Sequence, residues 1–150
     1  MKRQRSSSEE SSNEEEGKYV ERIFLDACRW GKLRVVRRHL RNAVDGEVDL
    51  KKALHAAVEG GRVDIVAALI QNGADVNVEM NKKRGTALHI AANFGHVDVA
   101  RVLIQNGADV NAVNIYKWTA LHNTAWGGHV DMVDLLIQNG AAVNAVDHGK

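Results

Sequence analysis

At 150 residues, with 45% hydrophobic but only 5% aromatic side chains, the chain can form one compact domain with a core of Ala, Val, Leu and Ile. A net charge of +1 sets up no global field for nucleic acid or a membrane surface, and no apolar run approaches the ~20 residues that span a bilayer. The single cysteine, Cys28, excludes an intrachain disulfide and points to an intracellular home, cytoplasmic or nuclear, and no signal-peptide apolar region follows Met1-Lys2-Arg3.

In chain order, residues 1–17 read MKRQRSSSEESSNEEEG, with no aliphatic side chain after Met1. Such a segment buries too little apolar surface to offset its ordering entropy, so a disordered Ser/Glu-rich tail is expected there. Ser6 and Ser7 have Glu9 and Glu10 three residues on, and Ser11 and Ser12 have Glu14 and Glu15. That spacing resembles acidophilic kinase sites, and each phosphate would add about −1.5 to −2 charges.

An array is expected over 18–150. Val20, Ile23, Phe24, Ala27 and Cys28 fall on one face of an opening helix. Arg34, Arg37, Arg38 and Arg41 fall on one face of the next. That basic face reads either as a solvated outer surface capping the array or as a dock for acidic groups, the tail's own glutamates among them.

Internal repetition decides the fold. QNGADVN occurs at 71–77 and 105–111, and QNGAAVN at 138–144. ALHAAVEGGRVDIV (53–66), GTALHIAANFGHVDVA (85–100) and WTALHNTAWGGHVDMV (118–133) align with one another, and FLDACRWGKLRVV (24–36) is a fainter copy. Copies 33 or 34 residues apart signal a stacked array in which each unit covers its neighbour's face. The units divide as a degenerate repeat at about 20–46, repeats at about 47–79, 80–113 and 114–146, and the opening of another at 147–150.

Each unit reads as helix, turn, helix, loop. Thr86 can cap a helix over Ala87-Leu88-His89, and Gly95 supplies the turn. Val97, Val99, Val102, Leu103 and Ile104 mark a second helix that Asn106-Gly107 stops. In the second unit Lys52 replaces the Thr, so its first helix should be less well capped. A normal or slightly long loop is expected around 78–85 and a stunted one around 44–51. The last helix pair keeps the internal apolar pattern, so the expectation is either that the chain is a fragment or that this pair packs against something else.

G-T-A-L-H-x-A-A-x-x-G-H followed by N-G-A-D-V-N resembles the ankyrin repeat, over about residues 20–150. Ala53, Ala87 and Ala120 stand where that family usually has Pro. The resemblance implies an all-α solenoid of stacked helix–turn–helix units with hairpin-like loops projecting as fingers. It also implies hydroxylation of Asn77 and Asn111 by an asparaginyl hydroxylase in an animal source. That enzyme prefers Leu eight residues before the Asn and Asp-Val just before it, as Leu69 with Asp75-Val76 and Leu103 with Asp109-Val110 supply.

His55, His89 and His122 recur once per repeat. Equivalent positions sit roughly 10 Å apart, the spacing of packed helices, too far to share a zinc ion at ~2 Å per bond. Each is expected to bond the Thr of its own turn and nearby loop backbone. No phosphate loop or nucleophile–base constellation is present, so no catalytic residue, metal, cofactor or small-molecule substrate is expected, and the chain should not be an enzyme.

The expected function is a protein-interaction scaffold or adaptor, with a regulatory segment of a larger enzyme or signalling protein as the alternative. The partner is another protein, not a membrane, and nucleic acid through the Arg face is the weaker reading. Trp30, Asn93, Phe94 and Trp126 lie near the ends of first helices; Lys82, Lys83, Arg84, Tyr116, Lys117 and Trp118 lie in the fingers. The resemblance implies that these positions line a concave partner surface.

Overall fold

The structure, a computed structural model, describes residues 7–44 and 47–143. Among these residues eight helices form four antiparallel pairs: α1 (Ser7–Trp30) with α2 (Leu33–Asn42), α3 (Leu50–Glu59) with α4 (Val63–Gln71), α5 (Ala87–Phe94) with α6 (Val97–Gln105), and α7 (Ala120–Gly127) with α8 (Val130–Gln138). First helices stack on first helices and second on second, so the array has two helical layers, with no strand among the described residues. The all-α repeat fold expected from the 33-residue period is therefore the fold observed.

Small residues set the stacking distance. Ala53, Ala57, Ala87, Ala91, Ala92 and Ala120 are almost fully buried where first helices meet, which lets the layers close up. Leu54, Leu88, Leu69, Leu103 and Leu136 fill the space between the layers. Each fully buried Leu contributes about 1.5–3 kcal/mol.

The turns are pinned from one unit to the next. Arg62 Nε donates to Arg29 O at 2.9 Å, His96 Nε2 to Glu59 O at 3.0 Å, and His129 Nε2 to Asn93 O at 3.1 Å. Gly95 sits at φ 72°, and a Cβ there would come 2.6 Å from Nδ1 of His129. The position therefore needs glycine for both its backbone angle and its neighbour.

Two expectations change. Residues 7–17 are not a disordered stretch but the first turns of α1, and residues 1–6 lie outside the described residues. Burial does not order this segment, because residues 8–20 are exposed throughout. Glu9 and Glu10 instead complement the positive end of the helix dipole, and Glu is a good helix former. Secondly, α3 is not poorly capped. It starts three residues earlier than its counterparts, at Leu50, and Asp49 accepts from the Lys52 N–H at 3.0 Å. That early start consumes much of the short loop before it.

In the last pair the apolar side chains divide between the inside of the array and its surface. Met132 and Leu136 are fully buried within the array, while Val130 and Ile137 face solvent. Residues 144–150, the expected opening of another unit, lie outside the described residues.

Candidate functional site

The first helices and the two complete fingers enclose a concave groove of about 550 Å³. Each finger is a tight turn organised by an Asn. Asn81 Oδ1 accepts from the N–H groups of Lys83 (3.0 Å) and Gly85 (3.1 Å), and Asn114 Oδ1 from those of Tyr116 (2.9 Å) and Trp118 (3.2 Å). Ile115 N–H donates to Lys83 O at 2.9 Å and ties one finger to the other. Arg84 (φ 59°) and Lys117 (φ 62°) occupy the left-handed region at equivalent points of the two turns, a conformation costly for a residue with a Cβ.

Histidines hold the fingers on the helices. Thr86 N–H donates to His89 Nδ1 at 3.1 Å, and the Thr86 hydroxyl lies 3.0 Å from the same nitrogen. Nδ1 is thus an acceptor, so Nε2 carries the proton and donates to Trp118 O at 2.9 Å, in the next finger. Burial pushes the His89 pKa below its ordinary 6.5, against the pull of the Trp118 and Ala112 carbonyls, which favours the neutral ring this tautomer needs. His122 repeats the arrangement with Thr119 at 3.0 Å and 2.9 Å. His55 has no Thr and instead lies 3.5 Å from Glu59.

The aromatic residues gather at one end. The Trp118 ring centroid is 6.2 Å from that of Trp126 and 6.3 Å from that of Tyr116, and Trp118 stacks on His122. Lys83 Nζ lies 5.9 Å from the Tyr116 ring, within cation–π range. Trp126 is 80% exposed, whereas Trp118 is half-buried.

Of the residues singled out from sequence, Lys83, Asn93, Phe94, Tyr116, Trp118 and Trp126 line this groove. Lys82, Arg84 and Lys117 stand exposed on the fingers outside the lining, with Arg84 held by Glu79 at 2.8 Å. Trp30 lies at the far end of the array, 63% exposed and away from the groove.

Counting from the turn glycines hides a register difference. Trp30 and Phe94 directly precede Gly31 and Gly95, whereas Gly127 intervenes between Trp126 and Gly128. Trp126 is thus level with Glu59 and Asn93, which also line the groove, and with Arg29 of the first unit. Gly60 and Gly127 occupy the Phe94 position in their units. A Cβ on Gly60 would strike the Arg29 carbonyl, and one on Gly127 would come 2.7 Å from the His129 ring.

Sequence reading missed His55, Glu59, Asn81, Asn114 and Asn123 as lining residues. The 33-residue spacing of Asn81 and Asn114 was a usable signal. Asn123 stands where the preceding units have Ala56 and Ile90. Its Nδ2 donates to His89 O at 3.3 Å, but its Oδ1 is buried with no hydrogen-bond partner among the described residues.

Asn77 and Asn111 brace the loops. Asn77 Nδ2 donates to Gly107 O (2.9 Å) while its Oδ1 accepts from Asp109 N–H (2.7 Å). Asn111 does the same with Gly140 O (3.1 Å) and Ala142 N–H (2.8 Å). Ser11 and Ser12 are exposed and donate to Ser8 O at 3.1 Å and 2.8 Å. The Ser6 position and the Ser7 side chain lie outside the described residues. Cys28 is fully buried, and burial pushes its thiol up to about 12, so it remains protonated.

Among the described residues no group of acidic, His or Cys side chains could hold a metal ion, and no helix is long and apolar enough to cross a membrane. Residues 54–104 and 88–137, together more than half of the chain, match the family described as ankyrin repeats (many copies). No curated protein matches the chain.

Proposed function

The chain belongs to the ankyrin-repeat family, whose repeats are in general protein–protein interaction modules and typically not enzymes, and from that premise we propose that it is a scaffold or adaptor that grips a partner protein in the groove between its first helices and its fingers. The observation that carries this reading is the Trp118–Trp126 pair. Stacking does not require it, since the units before it have Gly85 at the Trp118 position and Glu59 and Asn93 at the Trp126 position. Aromatic rings at a surface bury large area at low entropic cost, the usual make-up of a binding hot spot.

Two other features support it. Arg84 and Lys117 keep cationic side chains at backbone angles that glycine would adopt without strain, which fits finger positions kept for contact. The unpartnered Oδ1 of Asn123 beneath the groove is a polar group whose presence stability does not explain. In the same proposal the exposed Ser11 and Ser12 are kinase sites beside the array, and Asn77 and Asn111 are hydroxylation sites.

Affinity capture with the wild-type chain and with Trp126→Ala as baits tests the reading. Proteins that co-purify with the first and are lost with the second support it. The same set on both baits contradicts it. Asn123→Ile adds a separate arm: it removes the orphaned oxygen and should raise stability by about 1 kcal/mol, while weakening capture.

A further inference from the structure

The second helices differ at one end of the array. At the first-turn position α4, α6 and α8 carry Asp64, Asp98 and Asp131, and α2 carries Arg34. At the next three solvent-side positions α2 has Arg37, Arg38 and Arg41, where α4 has Ala67, Ala68 and Gln71. All four arginines are exposed, α2 contains no acid, and none of them has a carboxylate within salt-bridge distance among the described residues. An array end needs a polar outer face, but it does not need one sign of charge. Arg34 opposes the helix dipole and the clustered arginines repel one another, a cost that Arg41 in the last turn offsets only in part.

The matching charge is in the same chain. Residues 7–17 of α1 carry Glu9, Glu10, Glu14, Glu15 and Glu16 and no cation, and those glutamates are exposed. They are poorly placed to reach the arginines of their own chain. At 100° per residue the four arginines span about 100° of arc, and His39 lies about 150° round from its centre. His39 stacks on Phe24 of α1 at 4.4 Å, so the arginines point away from α1. At about 1.5 Å per residue the 24 residues of α1 also run well past the 10 residues of α2.

We propose that this Arg face docks the acidic first turns of α1 from a second copy of the chain. Each copy offers one basic and one acidic surface, so two copies satisfy each other reciprocally in a closed two-fold dimer. Guanidinium groups suit the task because they bind carboxylates bidentately. The contact is independent of the aromatic groove, and Trp126→Ala should dimerise as the wild type does.

Sedimentation velocity on the full chain tests this at 0.1 M and 1 M salt, where the screening length falls from about 10 Å to about 3 Å. The expected result is a dimer at 0.1 M and a monomer at 1 M. Arg37→Glu/Arg41→Glu and, separately, Glu10→Arg/Glu14→Arg should each be monomeric at 0.1 M, with helical circular dichroism confirming that both are folded. Mixed in equal amounts, the two should form a dimer again, because each then offers what the other lacks. A wild type that stays monomeric at 0.1 M, or a mixture that does not associate, overturns the proposal. So does a monomer that shifts a nucleic-acid duplex through the same arginines.

Discussion

At the scale of single residues, His89 connects folding to pH. Its ring is 3% exposed and neutral, joining Thr86 of its own unit to Trp118 of the next finger. The folded pKa lies below the ordinary 6.5, with desolvation the largest cause, so below pH 6.5 the unfolded chain binds more protons than the folded one. The stabilisation is complete above 6.5 and is lost as pH falls from there through the folded value. Thermal unfolding of wild type and His89→Gln should therefore diverge less as pH drops through that window; a constant difference would contradict it. Asn77 and Asn111 are used on both sides of the amide, and incubation with the asparaginyl hydroxylase should give a mass gain at both. No gain at Asn111 would leave them as braces alone.

At the scale of helices, α2 is the second helix whose first turn carries a cation, Arg34, against the dipole. Arg34→Asp restores what the other second helices carry and should stabilise the chain by about 0.3–1 kcal/mol, read by denaturant unfolding. No gain would mean that the Arg face is already neutralised in solution. Element types were legible wherever the local chemistry repeats: Thr86 and Thr119 mark starts, and Gly95 and Gly128 mark turns. The start of α3 was not, because its capping oxygen moved from the expected Lys52 position to Asp49. The first turns of α1 were not legible from burial arguments, since its exposed side chains are held by helix propensity and the dipole rather than by a core.

At the scale of the whole molecule, the 33-residue period shows how units stack and which finger precedes which helix. It does not show which ring faces the groove. One glycine, Gly127, sets Trp126 a residue back from the Phe94 position, level with Asn93, and from there its ring lies 6.2 Å from that of Trp118. In the proposed function this indole pair binds the partner and is not part of what holds the array together. The most direct measurement is calorimetric titration of a captured partner into wild type, Trp126→Ala and Trp118→Ala, with thermal unfolding of each. Each variant should lose about 1–3 kcal/mol of binding, with unfolding close to that of the wild type. Unchanged affinity in both variants, or arrays that unfold when either ring is removed, would contradict it.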